Sequence, residues 1–368
     1  MNRMMRVSGL LWGMLTAVGC GGAEESEPRS EQSLKVERQA ATASGWTTTA
    51  PMAIGREQAG AALLDSGLVL VTGGTSTFPF SHTELYNPYS NTWQTTGNLS
   101  SSRYNFATVK LASGKILVSG GLQPYSTLSG AEVYDPATNS WSWAGSMSKQ
   151  RYGHKATLLE SGKVLVTGGT VVWRDGPVVH GDSATTAELY DPETNTWSSA
   201  GDLGFGTADS VPVRLYSGEV MLLSGSRVDI YEPATNSWRY NGSMPGERGL
   251  FTATRLYSGE VMVVGGSDKA TFIYNPYSNQ WRVGPSMNQP HNSHHGHTAT
   301  LLYSGKLLIA GSGSTEIYDP ETNSWSQHAD MPADCLTGCT AILLHHGSVL
   351  LTAGDAVPAA ATATIFTP

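Results

Sequence analysis

The chain has 368 residues, of which 14% are charged, 42 are glycine and 10 are tryptophan. Average soluble proteins are roughly one quarter charged, so this composition excludes a coiled coil or a Lys/Glu-rich helical array and favours many short strands joined by tight turns. The formal net charge of -8 offers no basic surface for a phosphate backbone, and no nucleic-acid partner is expected.

Residues 1–19 have the pattern of an export signal peptide. Arg3 and Arg6 precede a mostly apolar stretch from Val7 to Val18, and small residues follow it. This stretch is shorter than the roughly 20 residues that a membrane-spanning helix needs. The pattern therefore predicts a removable signal and a mature protein outside the cytoplasm.

The end of this segment, Ala17-Val18-Gly19-Cys20, resembles a bacterial lipobox. The resemblance implies that Cys20 is acylated and becomes the new N-terminus, so that a lipid anchor is the only attachment to the membrane. Ala17 stands where that family most often has Leu, which leaves ordinary signal-peptidase cleavage as the alternative. The expected location is the bacterial cell envelope, facing either the periplasm or the cell surface.

Residues 20–44 are predicted to form a flexible tether. The segment has few large apolar side chains and no recognisable period, so it cannot bury enough surface to offset its conformational entropy. Such a tether would hold the following domain, residues 45–368, clear of the membrane.

From Trp46 onward the chain repeats itself. Seven tryptophans recur at intervals of 41 to 56 residues, at positions 46, 93, 141, 197, 238, 281 and 325. Such a period is typical of propeller blades and solenoids. Six of these tryptophans end the phrase Tyr-x-Pro-x-(Ser/Thr)-Asn-x-Trp, and a short apolar run ending in glycine precedes each phrase. The apolar run predicts a strand covered on both faces, and the Pro and Asn predict a tight turn before the outermost strand.

The glycine-terminated second strand, the tyrosine of the third strand and the tryptophan of the fourth strand together resemble the kelch family over residues 45–368. The resemblance implies an all-β fold, a kelch-type β-propeller with four-stranded blades. WD repeats are the alternative at this period, but they carry a Trp-Asp dipeptide, which this sequence lacks.

Seven apolar second strands indicate a seven-bladed ring. The last unit stops at Pro368 without a tryptophan, whereas Trp46 has no blade in front of it. We therefore expect the N-terminal strand around Trp46 to supply the outermost strand of the last blade, which closes the circle without a long exposed edge. The protein is expected to be a monomer.

One face of such a ring carries the connections from second to third strands and from each blade to the next. These connections vary in length and content, so ligand specificity is expected there. The candidates lie in the first and third blades: Phe78, Phe80, His82, Trp173, Arg174, Asp175, His180 and Asp182. Aromatic rings beside charged groups suit a protein or glycan ligand. A loop that folds Trp173 onto the ring is the alternative.

A histidine-rich segment lies on the same face where the fifth blade passes to the sixth, with His291, His294, His295 and His297. Two imidazoles on one side of an extended segment could bind a metal. No Cys, Asp or Glu lies between Arg282 and Ser314, so a polar loop is the favoured interpretation. No resident cofactor is predicted, and copper or another metal at these histidines is the alternative.

Two sets of charged residues recur with the blades. Arginines enter the first strands at positions 56, 103, 151 and 248, and glutamates precede the third-strand tyrosines at positions 84, 132, 188 and 316. Because they follow the repeat, we expect them to hold strands in place, and not to form a catalytic acid/base pair.

The chain has three cysteines. If Cys20 carries lipid, Cys335 and Cys339 remain in an oxidising compartment, where an even number favours pairing. A bend at Gly338 could bring their Cα atoms within the roughly 7 Å that a disulfide allows. A small disulfide between Cys335 and Cys339 is predicted.

Three functional hypotheses follow. The first and favoured one is a non-catalytic binding module that presents its variable-loop face to a protein or a glycan. The second is a copper oxidase similar to galactose oxidase, which resembles this chain in fold; that family uses a tyrosine cross-linked to a cysteine and a Tyr-His pair, and no Tyr-His dipeptide occurs here. The third is a sugar mutarotase, for which Asp175, His180 and Asp182 are the candidate acid/base residues.

Overall fold

The computed structural model describes residues 44–124, 126–175, 178–266, 268–291, 297–311, 313–331, 338–352 and 361–368, with backbone alone at 173–175, 178–179 and 362. A compact unit spans Ser44–Pro368. Every regular element in these ranges is a β-strand. None of the described residues belongs to a helix that is long and apolar enough to cross a membrane.

Seven four-stranded antiparallel sheets follow one another along the described chain, and each is called a blade here. Blade one contains β2 (Gly60–Leu63), β3 (Val69–Thr72), β4 (Thr83–Asn87) and β5 (Thr92–Thr95). Blade two contains β6 (Ala107–Lys110), β7 (Ile116–Ser119), β10 (Gly130–Asp135) and β11 (Ser140–Ser146). Blade three contains β13 (Lys155–Leu158), β14 (Val164–Thr167), β17 (Thr186–Asp191) and β18 (Thr196–Asp202). Blade four contains β19 (Val211–Arg214), β20 (Val220–Ser224), β21 (Arg227–Glu232) and β22 (Ser237–Ser243).

The remaining blades have the same order, except that the last one also uses the first strand of the chain. Blade five contains β23 (Phe251–Arg255), β24 (Val261–Gly265), β25 (Phe272–Asn275) and β26 (Gln280–Val283). Blade six contains β27 (His297–Leu301), β28 (Leu307–Gly311), β29 (Ser314–Asp319) and β30 (Ser324–Gln327). Blade seven contains β31 (Thr340–Leu343), β32 (Val349–Thr352), β33 (Thr362–Thr367) and β1 (Gly45–Pro51).

The blades pack side by side around a ring, as the apolar pattern of the second strands predicts. Each second strand is almost entirely buried, as in β14, where all four residues are buried, because neighbouring blades cover both of its faces. The first strands of neighbouring blades contact each other in a closed cycle that runs through β2, β6, β13, β19, β23, β27 and β31 and returns to β2. The predicted all-β propeller with kelch-type blades is thus confirmed.

Strand β1 closes the ring by pairing with β33. Trp46 lies opposite Phe366 in the register, and the centroids of the two rings are 5.1 Å apart. The indole Nε1 of Trp46 donates a hydrogen bond to Thr315 Oγ1 of blade six at 2.8 Å. The predicted closure by the strand around Trp46 is therefore present in the structure.

The repeated tryptophans connect neighbouring blades. Trp141 Nε1 of blade two donates to the carbonyl oxygen of Gly97 at 2.9 Å, and Trp197 Nε1 of blade three donates to that of Ala144 at 2.8 Å. Each indole also packs against the tyrosine of its own repeat, for example with 5.2 Å between the ring centroids of Tyr134 and Trp141. The ring fills the gap between blades, and its N–H is satisfied there.

The turn that precedes each of these tryptophans has the conformation that its asparagine predicts. Asn139 adopts a φ of 52°, in the left-handed region that asparagine tolerates better than most residues. Its Oδ1 accepts a hydrogen bond from the Tyr134 hydroxyl at 2.9 Å. The same pair of interactions recurs in five other turns, at asparagines 91, 195, 236, 279 and 323.

Candidate ligand-binding face

Two opposite faces of the ring differ in their connections. The loop face carries the connections from second to third strands and from blade to blade, and the hairpin face carries the turns within each pair of first and second or third and fourth strands. Buried arginines support the loop face. In blade two, Arg103 Nη1 donates to the carbonyl oxygens of Gly120 at 3.0 Å and Gly130 at 2.9 Å, so one guanidinium holds both ends of the connection between β7 and β10.

A glutamate completes each of these supports in blades one to three. Arg103 Nη2 lies 2.7 Å from Glu132 Oε1, and Glu132 Oε2 accepts the backbone N–H of Ser100 at 2.8 Å. Burial lowers the pKa of the Arg103 guanidinium, while Glu132 opposes this shift. The equivalent pairs are Arg56 with Glu84 and Arg151 with Glu188. The predicted structural role of these residues is confirmed for these three blades.

Blades five and six depart from this arrangement. Arg248 pairs with Asp268, which is 59% exposed, at 2.9 Å. In blade six His291 takes the place of the arginine, with its Nε2 3.6 Å from Glu316 Oε1. The imidazole, the backbone N–H groups of Asn288 and Gln289 and the Asn288 amide together lower the pKa of Glu316 against the opposing effect of burial. Glu316 therefore stays a carboxylate inside the ring.

Among the described connections from second to third strands, the long ones lie in blades one to three, at residues 73–82, 120–129 and 168–185. By contrast, the connections of blades four and six comprise residues 225–226 and 312–313. In blade two the connection contains the short strands β8 (Leu122–Gln123) and β9 (Ser126–Thr127). Within the described residues, three consecutive blades therefore have long connections between their second and third strands, while residues 353–360 of the equivalent connection in blade seven lie outside the described residues.

The three candidate residues of blade one have different environments. Phe78 is 66% exposed at the tip of its connection. Phe80 is half-buried, and the Arg56 guanidinium lies 5.1 Å from its ring centroid. The carbonyl oxygen of His82 accepts a hydrogen bond from Arg56 Nη1 at 2.9 Å. Phe78 is thus the residue of this group that is available to a ligand, while Phe80 and the His82 backbone support the connection.

The candidate segment of blade three forms strands, where the sequence analysis expected a loop. A three-stranded sheet contains β12 (Arg151–Tyr152), β15 (Thr170–Asp175) and β16 (Val178–Ser183). In its register Trp173 lies opposite His180, Arg174 opposite Val179 and Asp175 opposite Val178. Val171 and Val172 precede Asp-Gly and Val178 and Val179 follow it, and this hairpin signal could have predicted the strands. His180 is half-buried and Asp182 is exposed.

The four histidines proposed as metal ligands are only partly described. His291 is buried, His297 begins β27, and their ring centroids are 5.8 Å apart. His297 Nε2 lies 3.1 Å from Thr252 Oγ1. His294 and His295 lie outside the described residues, and within the described ranges no group of three or more His, Cys, Asp or Glu side chains is arranged to hold a metal. A metal site here stays a prediction.

The cysteines are also partly described. Cys339 is half-buried and disulfide-bonded. Its predicted partner Cys335, and the predicted lipid attachment residue Cys20, lie outside the described residues. The pairing of Cys335 with Cys339 and the acylation of Cys20 remain predictions.

His154 is a buried group that makes stability depend on pH. Its Nε2 lies 3.0 Å from Ser119 Oγ, and burial, followed by the charges of Arg151 and Lys155, lowers its pKa to about 3. The unfolded chain, with a histidine pKa of about 6.5, binds a proton that the folded state does not bind at pH values between these two. We expect the free energy of unfolding to fall by about 1.4 kcal/mol per pH unit from this residue as pH drops below 6.5.

The variant His154→Phe tests this expectation, because Phe106 occupies the corresponding place before the first strand of blade two. Urea unfolding between pH 7 and pH 4 is expected to show a shallower pH dependence in the variant than in the wild type. His297, whose burial lowers its pKa to about 4, retains its own contribution in both proteins. Equal slopes in the two proteins would contradict the assignment.

Among the exposed aromatic residues that were not predicted site residues, Trp143 is the tryptophan. Trp143 lies in β11, outside the periodic series, and is 60% exposed. It borders a cavity between blades two and three on the hairpin face. Its departure from the tryptophan period was the signal that could have drawn attention to it.

Comparison with known proteins places kelch motifs in this chain. A family model described as Kelch motif matches residues 103–148 and 161–204, which fall on blades two and three. Kelch-like protein 21 of Bos taurus is 41% identical over 68 residues, and the match covers 16% of this chain and 11% of the bovine protein.

A solved structure has the same fold. It is described as a novel fungal alcohol oxidase with catalytic diversity among the AA5 family, in complex with copper. The TM-score is 0.71 and the sequence identity is 16%, with 89% of this chain and 77% of the fungal chain covered. This likeness shows the propeller fold.

Proposed function

We propose that this propeller is a non-catalytic binding module whose loop face, on blades one to three, contacts a protein or a glycan. The observation that carries the proposal is that each of these three blades has a long connection between its second and third strands, with Phe78 exposed at the tip of one of them and an additional three-stranded sheet on another. Exposed aromatic residues on a rigid scaffold are typical of binding surfaces.

The support for this surface is rigid, as a binding site requires. The two ends of each of the three connections are held by the buried arginine of the same blade, at Gly73 and His82, Gly120 and Gly130, and Gly168 and Thr186. A pre-organised connection loses less conformational entropy when a ligand binds. The recurrent glutamates on this face form ion pairs with these arginines. We therefore assign them a structural role and not a catalytic one.

The export signal and the lipid anchor at Cys20 belong to the same proposal. An anchored and tethered module would hold its ring away from the membrane, where its loop face can meet a partner in the cell envelope. Mass spectrometry of the purified mature protein tests the anchor, because an acylated Cys20 at the N-terminus differs in mass from a product of ordinary signal cleavage.

A copper oxidase is the second candidate, and the fold of the fungal alcohol oxidase favours it. The residues of this chain fit poorly with the cross-linked tyrosine–cysteine cofactor that the galactose oxidase resemblance implies. The only cysteines after Cys20 are Cys335 and Cys339, and Cys339 is already disulfide-bonded. Stoichiometric copper in the purified protein, together with oxidation of a primary alcohol, would replace the binding-module proposal.

The loop face is tested with Phe78→Ala and Trp173→Ala. Each variant is expected to weaken binding of a ligand found by glycan array, or of a purified protein partner, by about tenfold or more, the loss of one aromatic contact at an interface. Tyr240→Ala is the matched control, since Tyr240 is 59% exposed but lies in the outer strand β22 of blade four. Unchanged affinity in both loop variants would remove this face from the proposal.

A further inference from the structure

A cavity of about 430 Å³ lies between blades two and three and opens on the hairpin face. Its walls are the turn at residues 111–115 of blade two, the turns at 161–163 and 191–195 of blade three, and the outer strands of blade two at Ser142 and Trp143. Ligand pockets in proteins commonly have volumes of about 300–1,000 Å³. The cavity is therefore large enough for one or two sugar rings.

Trp143 is the distinctive side chain of this cavity. Unlike Trp141, whose indole N–H is bonded to blade one, Trp143 leaves 60% of its surface in contact with solvent. Its benzo ring contacts Gly130 so closely that a Cβ atom there would lie 2.7 Å from the ring. The Asn195 amide of blade three donates to the Trp143 carbonyl oxygen at 3.3 Å. The contact with Gly130 places the indole against β10, and the Asn195 hydrogen bond holds the Trp143 backbone against blade three.

The lysines of two matching ion pairs line the cavity. Lys115 Nζ lies 2.9 Å from Asp135 Oδ2 in blade two, and Lys163 Nζ lies 3.1 Å from Asp191 Oδ2 in blade three. A hydrogen bond from each lysine lowers the pKa of its aspartate, so both aspartates stay carboxylates and the formal charges within each pair cancel. Each pair still has N–H donors and carboxylate lone pairs that are not used in the ion pair.

Two equivalent clefts between other blades lack this combination. Between blades four and five, Tyr216 and Tyr277 close over Gly259, and the remaining cavity is about 100 Å³. The cavity between blades one and two is about 610 Å³, but its lining contains no aromatic ring. The exposed indole, the space beside it and the paired charges occur together only in the cleft between blades two and three, among the clefts compared.

We propose that this cleft, which we call the Trp143 cleft, binds a neutral sugar of a glycan chain, with the sugar ring stacked on the Trp143 indole. A sugar presents an apolar C–H face to an aromatic ring and hydroxyl groups that both donate and accept hydrogen bonds. Lys115, the Lys163–Asp191 pair and the serine hydroxyls at positions 113, 142 and 161 line the cavity and offer both functions. An anionic ligand is disfavoured because the paired charges cancel and Glu193 adds a negative charge.

This site is independent of the loop-face proposal, because it lies on the opposite face of the ring. Loss of the loop-face interaction in the Phe78 and Trp173 variants leaves the Trp143 cleft intact, and the converse holds for variants of Trp143. The two proposals therefore fail separately.

The test measures binding of neutral tetrasaccharides of glucose, mannose and galactose to the full protein by calorimetry, with a tetragalacturonate as the anionic probe. At least one neutral probe is expected to bind, and Trp143→Ala is expected to weaken it by about tenfold or more. Trp143→Tyr keeps an aromatic ring and is expected to retain affinity within about threefold of the wild type. Tyr240→Ala, an equally exposed ring at the corresponding position of β22, is expected to change nothing.

Thermal unfolding of each variant distinguishes a loss of binding from a loss of folding. Replacement of an exposed side chain is expected to leave the unfolding midpoint unchanged. The proposal is overturned if no neutral probe binds, if Trp143→Ala binds as the wild type does, or if the anionic probe binds more tightly than the neutral ones. Retention by Trp143→Tyr combined with loss in Trp143→Ala supports stacking as the source of affinity.

Discussion

Replacement of Arg103 by methionine is expected to lower the free energy of unfolding by about 3–5 kcal/mol, the cost of breaking a buried ion pair by removing one partner. The Arg103 side chain is almost fully buried, and it donates to Glu132 and to two backbone carbonyl oxygens. Methionine fills much of the same space but donates no hydrogen bond. A carboxylate and the carbonyl oxygens of Gly120 and Gly130 are then left inside the ring without these donors. Urea unfolding at neutral pH measures the loss.

Arg248→Met is the matched control in blade five. Arg248 contacts the carbonyl oxygen of Gly265 and the exposed Asp268, and water can replace the arginine at Asp268. A loss of about 1–2 kcal/mol is therefore expected. The double variant Arg103→Met/Glu132→Met removes both charges and is expected to be more stable than Arg103→Met alone. If the free energy of unfolding fell equally in the Arg103 and Arg248 single variants, the unpaired buried carboxylate of Glu132 would contribute no additional destabilisation.

Removal of residues 1–51 is expected to destabilise the ring by at least the roughly 3–5 kcal/mol that truncation of one large aromatic side chain costs. The shortened chain loses all of β1, including Trp46, whose ring packs on Phe366 and whose N–H is bonded to blade six. Strand β33 then becomes an unpaired edge, which favours association with other chains. The midpoint of urea unfolding and the molar mass in solution are the two measurements.

The control is a chain that lacks only residues 1–43 and retains β1. It is expected to unfold at the same urea concentration as the full chain, because the described β1 pairing begins at Gly45. If both shortened chains were equally stable and monomeric, strand β1 would contribute nothing to closure.

The sequence predicted the fold because the repeat encodes it several times. The phrase from Tyr134 to Trp141 contains the turn asparagine, the strand tyrosine and the indole that bonds toward the preceding blade, and each forms the expected contact. Even the closure by β1 followed from a mismatch between the first and last units. These signals lie within short stretches of sequence, and their recurrence in six units shows that they are not coincidental.

The candidate site was less predictable because it depends on contacts that do not repeat. In blade six, His291 takes the place of the arginine beside Glu316. The segment between His291 and the first strand is longer than in other blades, so an alignment of the repeats does not match His291 with the arginines, and only the three-dimensional structure shows the exchange. The cavity at Trp143 is formed by turns that are about 50 residues apart in the chain, such as 111–115 and 161–163. Periodicity identified Trp143 as an exception, but only the packing of two blades shows the space beside it.

The pairing of β1 with β33 also bears on the order of biosynthesis. A chain synthesised from its N-terminus presents Trp46 early, but the strand that pairs with it lies more than 300 residues later. Six blades can form before β1 has a strand to pair with, and the ring gains its final contacts only after β33 has been synthesised. During this interval the side chains of Thr47 and Thr48, which are exposed in the folded ring, keep the unpaired strand partly polar, which limits its tendency to associate with neighbouring chains.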